Sequence, residues 1–299
     1  MPDPSPQSSQ PAQPPRTPQQ STFAHQLDAA QTLAVAIEAA RLGAAQLMHY
    51  RDQFSVREKA PKDLVTDADL ASQQAVFARL RESFPLHAMV GEEEGQDQPP
   101  SDADGRPRSD IPCWIVDPLD GTINYVHHLQ SFCVSIALAA EGHLQVGVVL
   151  DPVSEELFYA TRGGGAFVSR PDGSQVRPLR VSACAQLERA LLACSFPAGV
   201  RKDAIEVRQF CEVLEACQTL RRLGSCALNL CYLAAGRLDG YWAQSVKSWD
   251  MAAGALMVAE AGGLMTNFDG APVDLWHPVF AATASEQLQQ ALLAKLRAA

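Results

Sequence analysis

The sequence predicts a mixed α/β fold, a layered α+β sandwich of sheets and helices. Short apolar strands alternate with amphipathic helices along the 299-residue chain, 47% of the residues are hydrophobic, and no internal repeat is present. A chain of this size can bury a sizeable core and still form a pocket. Residues 23–299 are predicted to form one domain.

The N-terminal 22 residues differ from the rest in composition. They are mainly Pro, Gln and Ser with almost no apolar content, so they cannot offset the entropy cost of ordering. Residues 1–22 are therefore predicted to be a disordered tail. Helices with one core-facing side are predicted over 23–50 and 68–83, joined by a polar connector, and an exposed loop is predicted over 96–110.

The middle of the chain is predicted to form an antiparallel meander. Residues 113–117 form a short buried strand that ends at Pro118 and Gly121, followed by a hairpin over 132–140 and 143–150 and a third strand over 156–160. The second half is predicted to alternate strands with helices, with strands over 189–195 and 239–243 and helices over 204–220, 226–235, 250–261 and 286–298.

Charge and hydropathy argue against two classes of partner. The formal net charge of -10, from 34 acidic and 24 basic residues, opposes a binding mode that neutralises many nucleic-acid phosphates. No apolar run approaches the roughly 20 residues that span a bilayer, and the N-terminus lacks the charged-then-apolar order of a secretory signal. A soluble, cytoplasmic protein without a nucleic-acid or membrane partner is therefore expected. The eight cysteines show no zinc spacing and are expected to be reduced core thiols.

The stretch WIVDPLDGT over 114–122 places two carboxylates three residues apart where a buried strand breaks into a turn. Buried anions such as Asp117 and Asp120 are costly unless they are paired or bound to metal, and hard oxygen ligands suit Mg²⁺. Gly121 permits a close backbone approach, and amides that open a helix after Thr122 would favour an anion. The pattern predicts a magnesium site beside a phosphate site.

Two other interpretations fit part of this stretch. Asp117 and Asp120 could cap turns and a helix N-terminus, which is a frequent role for Asp. The D-x-D-G-T pattern of enzymes that form an aspartyl-phosphate is similar, but here Pro118 and Leu119 separate the two carboxylates. That spacing displaces the second carboxylate from its acid/base position, so a covalent route through Asp117 is disfavoured.

Four blocks resemble, in the same order, motifs of the inositol monophosphatase family, from about residue 25 to the end of the chain. They are DLVTDAD at 63–69, GEE at 91–93, WIVDPLDGTINY at 114–125 and WDMAAG at 249–254. One block could arise by chance, whereas four ordered blocks are specific. The resemblance implies a sugar-phosphatase fold, shared with fructose-1,6-bisphosphatases, and Mg²⁺-dependent hydrolysis of a small phosphomonoester.

The resemblance also implies the metal ligands, with two or three Mg²⁺ ions in the site. One ion would be held by Glu92, Asp117 and the backbone carbonyl of Leu119. A second would be held by Asp117, Asp120 and Asp250. The Asp250 carboxylate also directly precedes a predicted helix, so a capping role for it stays open.

Three residues are implied to act on the attacking water. Glu92 and Thr122 would activate it, and Asp69 would anchor a water network around a third, weaker ion. Asp69 also lies in the first turn of a predicted helix, where an acid favours the helix dipole. The mechanism implied is hydrolysis by a metal-activated water, without a covalent intermediate.

Substrate selection is where the resemblance is weakest. Members specific for inositol place an acid at the position that Ala243 occupies, and the side chain of the adjacent Gln244 would point elsewhere on a strand. Inositol monophosphate or a related polyol or sugar phosphate is expected, with histidinol phosphate, fructose bisphosphate or a nucleotide as alternatives. Substrate-binding residues implied by the family are Asp120, Gly121, Thr122, Gly224, Ser225, Cys226 and Asp250.

Several further expectations follow. A homodimer and inhibition by lithium are implied by the resemblance alone. A non-catalytic regulatory protein that kept the fold is the rival to an enzyme. His127 and His128 are expected to be surface or turn residues, and Lys59 and Lys62 to lie on a solvated connector.

Overall fold

A computed structural model describes residues 28–93 and 110–299. The predicted disordered tail and nearly all of the predicted 96–110 loop lie outside the described residues. Within these ranges the helices are α1 (Ala29–Tyr50), α2 (Asp67–Ser83), α3 (Thr122–Val126), α4 (Ile205–Ala216), α5 (Cys226–Ala234), α6 (Ser248–Glu260) and α7 (Glu286–Ala298).

The strands lie in three sheets. A two-stranded sheet contains β1 (Val56–Ala60) and β2 (Asp63–Thr66). A seven-stranded sheet has, in spatial order, β3 (Ala88–Gly91), β4 (Cys113–Asp120), β5 (Cys133–Ala140), β6 (His143–Asp151), β7 (Glu156–Thr161), β8 (Gly165–Ser169) and β9 (Arg177–Pro178). A five-stranded sheet contains β10 (Leu191–Cys194), β11 (Thr219–Arg221), β12 (Gly240–Ala243), β13 (Leu264–Thr266) and β14 (Phe280–Thr283), in the order β11-β10-β12-β14-β13.

Helices and sheets alternate in five layers, which confirms the predicted mixed α/β layered fold. Helices α1 and α2 cover one face of the seven-stranded sheet, and α5 and α6 lie between the two large sheets. Helices α4 and α7 pack on the outer side, where α7 contacts β14. Each layer buries apolar side chains against the next, so three hydrophobic clusters fill the interior.

The residues of strand β4 are buried on both faces of the sheet. Every residue from Cys113 to Asp120 is buried, because helices cover both faces of the sheet. Trp114 and Val116 pack toward α1 and α2, whereas Cys113 and Ile115 pack toward α5 and α6. This alternation is the period of two that a strand requires.

Local predictions hold best where the pattern is regular. The meander β5–β6–β7 is antiparallel as predicted, and α7 has the predicted bounds. The predicted helix over 204–220 is too long, because α4 ends at Ala216 and β11 follows within the predicted span. The predicted polar connector is instead the β1–β2 hairpin, whose strand β1 is exposed throughout and so lacks an alternating apolar pattern.

The predicted burial of the cysteines is confirmed only in part. All eight cysteines are free, and five are buried, but Cys211 is exposed and Cys184 and Cys217 are partly exposed. In the described ranges, no helix combines the length and the apolar character needed to cross a membrane.

Candidate functional site

The candidate site lies where β4 meets α3. The pairing of β4 with β5 shifts register between Asp117 and Asp120, so the strand does not end at Pro118 as predicted but continues irregularly. Proline has no N–H to donate to the ladder, which suits such an irregular step. The amide of Leu119 donates to Asp117 Oδ1 at 3.0 Å, and this hydrogen bond orients the carboxylate of Asp117.

Three carboxylates from two distant parts of the chain meet at this step. Oxygens of Asp117, Asp120 and Asp250 all lie within 4.8 Å of one another. Asp117 is 1% exposed and Asp120 is 7% exposed. The structure therefore brings together three of the predicted metal ligands, two from β4 and one from the first turn of α6.

Asp120 is held by the N-terminus of α5. Ser225 Oγ donates to Asp120 Oδ2 at 2.6 Å, the amide of Ala227 donates to the same oxygen at 2.7 Å, and the amide of Cys226 donates to Oδ1 at 3.2 Å. These donors stabilise the ionised carboxylate, but burial prevails and raises the pKa of Asp120 to about 6. The site therefore depends on packing between β4 and α5.

Asp250 caps its helix and also lies in the carboxylate cluster, so its role as a metal ligand stays a prediction. Its Oδ2 accepts the amide of Lys247 at 2.6 Å at the start of α6, which is a capping contact. Burial and the nearby charge of Asp120 raise the pKa of Asp250 to about 7. The same carboxylate thus caps the helix and faces the cluster.

Glu92, which directly follows β3, lies close enough to Asp117 to raise its pKa, and it forms an ion pair with Lys59. Lys59 Nζ in β1 lies 3.1 Å from Glu92 Oε1 and 2.5 Å from Glu93 Oε1. Burial disfavours the charged ammonium, but the two carboxylates outweigh it and raise the pKa of Lys59. Burial raises the pKa of Glu92, against the opposing effect of Lys59. Lys59 therefore lies on an exposed segment, as expected, but it also pairs with two carboxylates at the site.

Asp69 connects α2 to Thr122. Asp69 Oδ2 accepts the amide of Thr66 at 2.8 Å and its hydroxyl at 2.6 Å, which completes a capping box. Asp69 Oδ1 lies 3.4 Å from Thr122 Oγ1, and that hydroxyl also lies 3.1 Å from the carbonyl oxygen of Leu119. Burial raises the pKa of Asp69 to about 6. The Thr122 hydroxyl is thus placed between a carboxylate and a predicted ligand carbonyl.

Gly121 makes the turn into α3 possible. Its φ of 99° is in the left-handed region, and an added Cβ would lie 2.8 Å from the carbonyl oxygen of Ser131. Helix α3 has only five residues, so its dipole contributes little to anion binding. Phosphate binding here therefore stays a prediction, and it would depend on metal held by the carboxylates and not on α3.

The predicted substrate loop lies against the cluster. The Ser225 side chain is fully buried and Cys226 is 5% exposed, and both residues donate a hydrogen bond to Asp120. Ala243 is fully buried in β12, and the amide of Gln244 points away to Gln209 Oε1 at 2.7 Å. Gln244 therefore does not replace the missing acid, whereas substrate binding by residues 224–226 stays a prediction.

The sequence did not predict the contacts that Lys59 and Asn124 make at the site, whereas it predicted the positions of two histidines correctly. His127 and His128 are exposed, as expected. The ion pairs of Lys59 could not be predicted, because its partners Glu92 and Glu93 are more than 30 residues away in the sequence. The two adjacent acids were the only sequence feature that pointed to a nearby cation. Asn124 was missed because its role depends on a contact 99 residues along the chain.

The donor set fits a hard divalent cation. Burial raises the pKa of Asp117 well above its ordinary value, and the charges of Glu92, Asp120 and Asp250 raise it further. The repulsion arises because Asp117, Asp120 and Asp250 lie together with the charge of Glu92 nearby, and Lys59 pairs with Glu92. Bound Mg²⁺ would remove this repulsion, and carboxylate oxygens are its preferred protein ligands.

This charge cluster predicts how stability depends on pH without metal. The folded-state pKa values of Asp69, Asp120 and Asp250, about 6 to 7, exceed the roughly 4 expected in the unfolded chain. Their stabilising contribution is full below pH about 4 and is lost as pH rises through 6 to 7. In EDTA the Tm should therefore fall between pH 5 and pH 8, by several degrees. Saturating Mg²⁺ should remove most of this fall, whereas an equal Mg²⁺ effect at both pH values would contradict the assignment.

Comparisons with known proteins agree with this geometry. The model of the inositol monophosphatase family matches residues 28–299. A protein of Pseudomonas aeruginosa named Nus factor SuhB is 42% identical over 224 residues, covering 73% of this chain and 78% of that protein. An inositol-1-monophosphatase of Caulobacter vibrioides is 36% identical over 270 residues, covering 88% of this chain and all of that protein. The solved inositol monophosphatase of Anabaena is 34% identical with a TM-score of 0.76, covering 90% of this chain and 96% of that one.

Proposed function

The chain belongs to the inositol monophosphatase family, and from that premise we propose that it is a Mg²⁺-dependent phosphatase of a small phosphomonoester. The convergence of Asp117, Asp120 and Asp250 within 4.8 Å is the observation that carries the proposal. Inositol monophosphate or a related polyol or sugar phosphate is the proposed substrate. The relatives named inositol-1-monophosphatase support this choice.

The proposed site holds two neighbouring Mg²⁺ ions. Asp117, Asp120 and Asp250 would hold one, and Glu92, Asp117 and the Leu119 carbonyl would hold the other. Bound Mg²⁺ supplies charge that neutralises phosphate oxygens and lowers the pKa of water. The buried carboxylates and the α5 amides that hold Asp120 keep this site rigid before substrate binds.

The chain's own proton acceptors lie beside the metal ligands. The Thr122 hydroxyl can accept a proton from the attacking water and pass its own proton to Asp69 Oδ1, 3.4 Å away. Thr66 fixes the other oxygen of Asp69 with two hydrogen bonds, so Oδ1 is the oxygen left for Thr122. Glu92 assists as a second acceptor at the edge of the cluster.

Phosphate release from a substrate panel tests the proposal. The panel contains inositol 1-phosphate, a hexose 1-phosphate, fructose 1,6-bisphosphate, histidinol phosphate, adenosine 3′,5′-bisphosphate and NADP, each with Mg²⁺ and with EDTA. Mg²⁺-dependent turnover of at least one compound is expected. Absence of turnover for the whole panel would favour the non-catalytic reading.

Ala243 predicts weak discrimination among polyol phosphates. It leaves no carboxylate at that end of β12, and Gln244 turns toward Gln209, so ring hydroxyls there lose a charged acceptor. The kcat/KM values for inositol 1-phosphate and its ring stereoisomers should therefore differ by less than about tenfold. A preference of about a thousandfold for one isomer would show that another residue reads the ring hydroxyls.

A second candidate function comes from the relatives named Nus factor SuhB, which are up to 42% identical to this chain. A role of that kind would not require the carboxylate cluster. Deletion of the gene followed by complementation with the Asp117→Asn chain separates the two. Full rescue would assign the cellular role to a non-catalytic function, whereas no rescue would support the phosphatase.

Inhibition by lithium, a homodimer and a cytoplasmic location are proposed with the phosphatase. Each rests on the family resemblance. Activity in LiCl against NaCl, and the solution mass of the full chain, are the measurements that check the first two.

A further inference from the structure

The side chain of Asn124 joins two segments that lie far apart in the sequence. Asn124 is in α3, two residues after Thr122, and is 8% exposed. Its Nδ2 donates to the carbonyl oxygen of Ser131 at 2.7 Å and to that of Leu223 at 2.8 Å. Both protons of the amide therefore have an acceptor, and the proposed mechanism uses neither.

The segment that Asn124 reaches, residues 223–227, leads directly to the metal cluster. Ser225 and the amides of Cys226 and Ala227 donate to Asp120. The segment is thus attached to the β4–α3 unit at two places, at Asp120 and, through Leu223, at Asn124. Because the two attachments are only a few residues apart, the backbone between them has little freedom.

Gly224 shows independently that this contact is tight. Its φ of 85° is in the left-handed region, and an added Cβ would lie 2.8 Å from Asn124 Nδ2 and 2.9 Å from Asn124 Oδ1. Real Cβ atoms essentially never approach so closely, so the backbone of Gly224 packs against the amide of Asn124 in a way that only glycine permits. The amide of Asn124 in α3 therefore fixes the position of the segment at Gly224.

We propose that Asn124 is a positioning residue, which fixes residues 223–227 at the site and thereby sets the affinity for the phosphorylated substrate. The inference rests on the proposed function. Loss of the amide leaves the partly buried carbonyls of Ser131 and Leu223 without this donor, and the segment relaxes at its Leu223 end. Asp117 and Thr122 have other contacts, and Ser225 with the amides of Cys226 and Ala227 still holds Asp120, so the chemical step keeps its groups.

Steady-state kinetics of Asn124→Ala and Asn124→Asp at saturating Mg²⁺ test the role. KM should rise by about tenfold in Asn124→Ala, which loses both partly buried hydrogen bonds of the amide, while kcat stays within about threefold. Asn124→Asp should raise KM further, because an ionised carboxylate cannot donate and repels the two carbonyl oxygens. A KM within about twofold of the wild type in both variants would overturn the proposal.

Gln289→Ala is the matched control. Gln289 in α7 is 5% exposed, and its Nε2 also donates twice, to Thr266 Oγ1 at 2.8 Å and to the Ala281 carbonyl at 3.0 Å. It should lower the Tm by a similar amount to Asn124→Ala and leave KM unchanged. If Gln289→Ala raised KM as much, the effect would be general loosening and the proposal would fail.

A double-mutant cycle with Gly224→Ala tests the contact itself. In the Asn124→Ala background the added methyl no longer meets the amide, so only the cost of the left-handed φ remains. The combined effects on KM and on Tm should therefore be smaller than the sum of the single free-energy changes. Additive effects would overturn the contact. A wild-type chain without turnover would overturn the proposed function and the affinity role, and the Tm cycle would still test the contact.

Discussion

Replacing Asp117 by asparagine should abolish Mg²⁺-dependent phosphate release while leaving the fold intact. Asp117 is 1% exposed and is the one carboxylate predicted to contact both metal ions. The amide oxygen of asparagine can still accept the amide of Leu119, so the local backbone is preserved. Turnover should fall by at least about a thousandfold, because the substitution removes a charge shared by two cations.

The same variant makes a second, opposite prediction for the metal-free protein. A carboxyl group whose pKa is raised on folding costs stability at neutral pH, and asparagine does not titrate, so the Tm in EDTA should rise. The rise in Tm that Mg²⁺ causes in the wild type should be largely lost. Calorimetry with EDTA and with Mg²⁺ measures both effects.

Asp151→Asn is the control for Asp117→Asn. Asp151 at the end of β6 is also 1% exposed, and its Oδ1 accepts the amides of Val153 and Ser154, at 2.8 and 3.0 Å. An asparagine there keeps both contacts, so Mg²⁺-dependent turnover and the Mg²⁺ shift in Tm should persist. Retention of more than about a tenth of wild-type turnover in Asp117→Asn would sink the metal assignment.

Replacing Thr122 by valine should lower kcat by about 10²- to 10⁴-fold, the range typical of general acid–base groups. Valine has the shape of threonine but no hydroxyl, so the contacts to Asp69 Oδ1 and to the Leu119 carbonyl are lost. Thr122 is not a predicted metal ligand through its side chain. The Mg²⁺ shift in Tm should therefore change little, which assigns the fall in kcat of Thr122→Val to the chemical step and not to loss of metal.

Thr122→Ser distinguishes loss of the hydroxyl from loss of packing. Serine keeps the hydroxyl but drops the methyl group, so it should retain kcat within about tenfold of the wild type. Equal losses in the valine and serine variants would assign the effect to packing and would remove Thr122 from the proposed proton path.

The sequence determined the features that depend on neighbouring residues or on ordered motifs. The buried strand that runs into Asp117 and Asp120, the meander after it, and the helix that ends before Gly262 all have local signals. The four ordered blocks led to the family, and the family match confirms that identification. The proposed ligands were named in the same way, because each lies inside one of these blocks.

Tertiary structure alone decided which of these groups touch. Asp250 reaches Asp117 only because α6 packs between the two large sheets. Lys59 reaches Glu92 only because the exposed β1–β2 hairpin places it next to the end of β3. Asn124 in α3 reaches Leu223 only because α3 lies against the segment that precedes α5. The β1–β2 hairpin escaped prediction since exposed strands carry no apolar alternation. Periodicity records which face of an element is buried, whereas a polar contact between distant segments leaves no period in the sequence. Such contacts form only when the packed layers fix their geometry.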